Sequence, residues 1–521
     1  MNIFVVNLIL FLLTAIKCQQ EKYFSSLVQL EKLAVIESEF ITKLAAIVDE
    51  VSDEDYVRKK LDYWKSEHRV LEQDVSKYIE NPLNAFGMIK RATADISLLM
   101  KRIPSSMANE LAQYRIKDSI LTDAVRSLLL VQRIYKLSTN DIARGYLKSR
   151  HVRFRMTPYD LYTVGNVASN ITNEEYFAKK YLELAYEKFK EGYDTRNEVD
   201  ENELLIKIAN LCERMNDYKC SAFHIKQILL KDPDNSEAAE YAIKIVKLFK
   251  EYGTSKISFD NPYDANFEMD GKYSRRKEFE LLSDVCRGKL TKKVMEMSRL
   301  YCRYVSSTPF TMLAPFKVEE VNIDPYIVIY LNVLSNNEIQ SLRNVTMRET
   351  HRNSNKDADE KSIFDVIRMV SLHDNNNELA ARISRRIEDM TGLSVDPMEP
   401  LNVENFGVCG PVWRHGKQQK GNKMAMILFY MNDDHMDGYT AFPYLKVRII
   451  PREGSALFWF TLKKSGQSEY GTRFTQCPVL YKSKWIAYKY IYEFGQEFKR
   501  PCPSTMEFVP TSIDEYDNEF F

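Results

Sequence analysis

In FGVCGPVWRHGKQQKGNK (406–423), His415 stands in a glycine-punctuated loop just ahead of an apolar strand, where a metal ligand would be well placed. Two residues on, where a carboxylate would complete a metal pair, the sequence has Lys417. A rival pair, His435-Met436-Asp437, lies in MNDDHMDGYT, a polar stretch between two strands that reads as a hairpin turn. No histidine follows His435, so neither pair can draw a further histidine from the remaining chain. His68, His151, His224, His351 and His373 are scattered over helices and polar loops without metal-ligand spacing. No Gly-rich phosphate loop and no Ser/His/Asp arrangement offers another chemistry.

The elements around these residues fall into two halves. Apolar residues at 27, 30, 34, 41, 44, 48 and 51, broken only by Glu37, predict a helix with a narrow seam. It could pair with another helix or lie on a globular core. Pro82 in ENPLNAF should open a new helix. Between 156 and 250, successive amphipathic helices close on KDPDNSEA, the usual end of a tetratricopeptide unit. A concave groove for an extended peptide and a plain helical spacer both remain open for this segment. Residues 251–276 are polar and aperiodic, as in a linker. Beyond about 320, PYIVIYL, MAMILFYMN, KVRIIP, SALFWFTL and WIAYKYIYEF predict short antiparallel strands, with one helix at NELAARISRRIEDMTG. Such strands without a βαβ rhythm indicate a jelly roll.

The 73 basic and 73 acidic residues balance, and no basic block suggests nucleic acid or anionic membrane as a partner. Residues 1–18 read as a secretory signal cut near Cys18 or Gln19, and no other segment is long enough to span a bilayer. Seven cysteines follow, so at least one thiol has no partner within the chain. In an oxidising compartment the expected pairs are Cys286–Cys302 and Cys477–Cys502, with Cys212, Cys220 and Cys409 left open. Asn170 and Asn344 begin glycosylation sequons.

IEDMTGL, FGVCG, GNK with LFYMND, TAFP, GSALFWF, GTRFTQCPVLYKSKW and GQEFKRPC together resemble the catalytic domain of the collagen prolyl 4-hydroxylase alpha subunit. CRG (286–288), LYCRY (300–304), LAP (313–315) and NPLNAF extend the resemblance over nearly the whole chain after the leader. It implies a helical assembly domain (19–135), a tetratricopeptide-like peptide-binding domain (136–250) and the linker. A double-stranded β-helix dioxygenase domain (277–502) and an acidic tail (503–521) would follow. It also implies Fe(II), 2-oxoglutarate and ascorbate as cofactors, a protein disulfide isomerase beta subunit and a second alpha chain as partners, and the endoplasmic reticulum lumen as location. The tail carries no retention signal of its own, which fits retention through a partner.

The family holds iron with two histidines and one carboxylate. The first histidine falls on His415, the carboxylate on Lys417 and the second histidine on Phe474. The lysine for the far carboxylate of 2-oxoglutarate falls on Lys489. One ligand of three survives, and Lys417 puts a cation where a divalent metal would sit. The groove's tyrosines would be Tyr162, Tyr176, Tyr181 and Tyr186, with Lys207, Asn210 and Glu213 near other tyrosine positions. These tyrosines could instead only pack between helices. Three classes follow: an inactive paralogue binding partner subunits, a peptide-binding module, or a hydroxylase with rearranged ligands.

Overall fold

The computed structural model describes residues 27–501 except 52–53, 149, 173, 193–197, 253–272, 307, 357–367, 397, 408–422 and 434–436. The leader, most of the linker, the acidic tail, Cys409, His415, Lys417, His435 and Cys502 lie outside the described residues. Among those described, no helix is long and apolar enough to cross a membrane.

Helix α1 (Leu27–Ile47) buries its seam at Leu27, Leu30, Ala34, Ile41 and Leu44. It packs on α2 (Glu54–Gln73), with Phe40 edge-on to Trp64 at 4.9 Å. Glu37, the break in the seam, is buried as well. Its carboxylate accepts from the Arg91 guanidinium and lies 3.2 Å from His68 Nδ1. The sequence break is therefore an ion pair brought together by three helical segments. Asn81 caps α3 (Pro82–Lys90) by accepting from Leu83 and Asn84 N–H, so Pro82 opens a helix as its fixed φ favours. A π turn over 91–95 follows, and Lys90 is buried between Asp95 (2.9 Å) and Asp160 (2.5 Å).

α4 (Asp118–Tyr135) leads to five further helices: α5 (Pro158–Ser169), α6 (Glu175–Lys190), α7 (Glu201–Arg214), α8 (Tyr218–Lys231) and α9 (Ser236–Tyr252). Consecutive helices pack side by side, and a Thr157/Asp160 capping box starts α5. At Gly165 a Cβ would fall 2.6 Å from Leu182 Cγ and 3.1 Å from the Ala178 carbonyl oxygen. The missing side chain lets α5 and α6 approach closely. Gly165→Ala, which would gain about 1 kcal/mol in a free helix, is therefore expected to lose about 1–3 kcal/mol here by overpacking. Denaturant unfolding of the two chains reads the sign.

α10 (Tyr273–Cys286) joins the halves. Strands β1 (Cys302–Val305), β2 (Phe316–Asn322) and β3 (Ile327–Leu331) precede α11 (Asn336–Lys356), β4 (Arg368–Leu372) and α12 (Glu378–Thr391). Then come β5 (Leu401–Phe406), β6 (Lys423–Tyr430), β7 (Thr440–Phe442), β8 (Val447–Ile449), β9 (Ala456–Phe460), β10 (Thr475–Gln476) and β11 (Lys484–Tyr492). They form an eight-stranded antiparallel sheet, order β1-β2-β3-β9-β6-β11-β5-β4, and a three-stranded sheet, β8-β7-β10. This is the expected helical half followed by a jelly roll. Strand alternation divides the large sheet's side chains. Val403, Ile427, Phe429, Ala487 and Ile491 face α11 and α12, while Phe406, Met426, Leu428, Trp459 and Ile486 face the small sheet.

Both expected disulfides are corrected. Cys286 pairs with Cys477, not Cys302, because α10 packs against the small sheet and ends with its Cα 5.7 Å from that of Cys477. Cys302 lies exposed on β1, at the edge of the large sheet, as a free thiol. Cys477 is thereby taken and cannot bond Cys502. A second bridge joins Cys212 and Cys220. Replacing Cys286 and Cys477 together by serine is expected to remove about 2–4 kcal/mol of stability, and peptide mapping under non-reducing conditions should recover the 286–477 link.

Candidate functional site

The segment 477–483, between the small sheet and β11, is held from the helical half. Tyr135 Oη donates to the Pro478 carbonyl at 2.5 Å, and Ser483 Oγ donates to Glu80 at 2.7 Å. Tyr481 Oη donates to the Leu147 carbonyl, and the Arg150 guanidinium lies 4.8 Å over its ring. These contacts fix where β11 begins, and so which residues it turns inward.

Phe474, on which the resemblance places the second histidine, is half-buried between the two sheets. Its ring lies 4.8 Å from Trp459, edge-on, and 6.3 Å from Phe442. Phe442 and Trp459 are themselves 5.5 Å apart, so the three rings form one aromatic cluster in the space between the sheets. A phenyl ring offers no lone pair, and its neighbours are apolar. The described part of this site does not fit a two-histidine, one-carboxylate iron centre. His415 and Lys417 lie outside the described residues.

The lysine assignment is corrected. Lys489 is fully buried, but it shares the β11 face of Ala487 and Ile491. Its Nζ lies 3.1 Å from Asp374 and donates to Ser384 Oγ at 2.7 Å, on the α12 side of the sheet. Burial pushes the Lys489 amine down, and Asp374 only partly offsets this. The lysine on the inner face is Lys484, of the same parity as Ile486 and Tyr488. Its Nζ donates to the Gly438 carbonyl and to Gln476 Oε1, and lies 5.5 Å from the Tyr430 ring centroid. Gln476 Oε1 also accepts from Thr440 Oγ1 (3.0 Å), which accepts from Tyr430 Oη (2.8 Å). A second inner pair joins Tyr488 Oη to Glu404 at 2.8 Å. The interior therefore combines an aromatic cluster at Phe474 with a hydrogen-bonded polar network at Lys484. Asp437, from the rival pair, is buried rather than in a solvated turn.

The four groove tyrosines separate. Tyr181 is fully buried, with its hydroxyl donating to Gln132 at 3.0 Å, and Tyr186 is buried in the same helical core. These two pack between helices and cannot present a face to a peptide. Tyr162 is half-buried, donates to Glu203 at 2.6 Å and stacks near Tyr159 at 6.2 Å. Both line a cleft of about 470 Å³ between α4 and α5, with Lys101, Arg115, Asp118 and Asn166. Tyr159 was not singled out in the sequence, although its three-residue spacing from Tyr162 puts both on one helical face. Tyr176 is half-buried on α6, edge-on to Phe177. On α7, Lys207 pairs with Glu203 at 3.4 Å. Glu213 accepts from Tyr241 and pairs with Lys244 at 2.6 Å. Asn170 and Asn344 are both exposed, but the sequon's Thr346 is buried and donates to the Leu342 carbonyl.

Comparison with known proteins agrees across the chain. The model of the prolyl 4-hydroxylase alpha-subunit N-terminal region matches residues 26–149. Prolyl 4-hydroxylase subunit alpha-1 of Gallus gallus is 28% identical over 516 residues, covering 89% of this chain and 99% of the relative. Subunit alpha-2 of Gallus gallus is 26% identical over 515 residues, covering 90% and 96%. Among solved structures, a viral collagen prolyl hydroxylase from Paramecium bursaria Chlorella virus-1 aligns with a TM-score of 0.25 and 18% identity, covering 32% of this chain and 88% of that one.

Proposed function

Because the chain belongs to the prolyl 4-hydroxylase alpha-subunit family, we propose that it is a member that has kept the family's scaffold and lost its proline hydroxylation. The observation that carries this reading is Phe474, packed against Trp459 and Phe442 where the family has a metal-binding histidine. Lys417 on the carboxylate position adds to it. Lys484 rather than Lys489 is the inner cation to which the far carboxylate of 2-oxoglutarate would go. Without the metal, that single ion pair is a weak anchor, so the cosubstrate is held poorly.

The working parts are then the helical domains. Residues 19–135 serve assembly with a second alpha chain and a protein disulfide isomerase subunit in the endoplasmic reticulum lumen, reached through the leader at 1–18. Residues 136–250 take a proline-rich peptide, and the half-buried Tyr162 at the cleft supports that use. The linker 251–276 connects them to the former dioxygenase domain 277–502, with 503–521 as an acidic tail.

The test is turnover of 2-oxoglutarate with a proline-rich peptide, iron and ascorbate, by the chain co-expressed with the isomerase. No peptide-dependent turnover above the isomerase alone is expected. Robust iron-dependent turnover would establish a hydroxylase with rearranged ligands and overturn the proposal.

A further inference from the structure

One cluster outside the barrel has donor chemistry that the proposed function does not use. Cys212, near the end of α7, is bonded to Cys220, near the start of α8. His224 stands one helical turn after Cys220, on the same side of α8. One ligand atom from each of the three residues lies within 4.8 Å of the others. His224 is only 8% exposed, and its Nδ1 has no hydrogen-bond partner among the described residues. Among the scattered histidines this one does reach a possible ligand set, through cysteines rather than through other histidines.

The geometry points to a redox-gated zinc site: Cys212, Cys220 and His224 are a disulfide with an idle imidazole when oxidised, and a Cys₂His set for Zn²⁺ when reduced. A dithiol reductant supplies two electrons and two protons to the disulfide and itself becomes a disulfide. Zn²⁺ then displaces the two thiol protons, and the lone pair of His224 completes three protein ligands. Two thiolates and one imidazole suit this borderline-soft ion, and the fourth tetrahedral position is left to water. Cys220, the half-buried member, gives the ion its way in. Either cross-link ties α7 to α8, so the helix pair that carries Glu203, Lys207 and Glu213 keeps its geometry in both redox states.

The test uses the full chain, reduced with a dithiol that is then removed without air, and titrated with Co²⁺ as a visible probe. One equivalent is expected to give the intense thiolate charge-transfer and tetrahedral ligand-field bands, and Zn²⁺ should displace it. The oxidised chain should give neither. Cys220→Ala should abolish the spectrum, and His224→Gln should weaken binding at least tenfold, with helical circular dichroism unchanged. The Cys286→Ser/Cys477→Ser chain should bind as before. A reduced, helical native chain without tetrahedral bands would overturn the proposal, whatever the variants do. So would bands that persist in both Cys220→Ala and His224→Gln. Neither result bears on hydroxylation, which is read by turnover.

Discussion

Arg91→Ala is expected to destabilise the helical half by about 3–5 kcal/mol, as removal of one member of a buried ion pair generally does. Arg91 and Glu37 are both buried, and the guanidinium makes two contacts to the carboxylate that His68 also approaches. Truncating the arginine leaves a carboxylate among α1, α2 and the π turn with the His68 imidazole as its remaining basic partner among the described residues. Glu37→Leu with Arg91→Met, which removes both charges together, should cost much less than either single change. A double-mutant cycle by denaturant unfolding measures the coupling. The same cluster sets an acid limit. Burial pushes the Glu37 carboxyl up, but Arg91 and His68 outweigh it and hold the group below its ordinary 4.5. Lys90 and Thr157 hold Asp160 below its ordinary 3.8 in the same way. Folded values below the unfolded ones mean that this stability is complete above about pH 4.5 and is lost as pH falls through the folded values. Glu37→Gln should flatten that slope, and circular dichroism through an acid titration reads it.

The second large effect concerns activity. Lys417→Asp together with Phe474→His is expected to raise iron-dependent 2-oxoglutarate turnover at least about a hundredfold above the unaltered chain. Phe474→His by itself should restore none. Two unit charges 4 Å apart interact by about 4 kcal/mol at an effective dielectric of 20, so a lysine at the carboxylate position, which the proposal assigns to Lys417, would oppose binding of a divalent ion even with two histidines present. The change at 474 also puts a smaller, polar imidazole in place of the phenyl ring of the Phe442–Trp459 cluster. That ring interaction is worth about 0.5–1.5 kcal/mol beyond the area it buries. Thermal unfolding beside the assay distinguishes a barrel that fails to fold from one that fails to turn over.

Much of this molecule is readable from its sequence, and the misreadings have physical causes. The helix opened by Pro82 and the antiparallel strands follow from local chemistry, which residue type and spacing record. Glu37 looked like a defect because its partners lie 31 and 54 residues away. The Cys286–Cys477 bridge spans 191 residues, and no nearby spacing reports such a contact. Lys484 and Lys489 stand five apart on one strand, so they face opposite sides. The motif alone did not fix which side was inner, and the packing of Ile486 and Tyr488 does. Tyr181 and Tyr159 share a residue type and are both buried, yet only Tyr159 borders the cleft, which depends on how α4, α5 and α6 come together. Phe474, the residue on which the functional reading turns, stands in the sequence where the resemblance expects a histidine. Its aromatic company is not legible there.

The central claim is that this barrel no longer forms the family's iron centre. Equilibrium titration of the disulfide-intact chain with Fe(II) under anaerobic conditions, in the presence of 2-oxoglutarate, tests it most directly. The expected result is no stoichiometric binding for the unaltered chain and one equivalent for the Lys417→Asp/Phe474→His chain. One equivalent of iron bound by the unaltered chain, lost on His415→Ala, would contradict it.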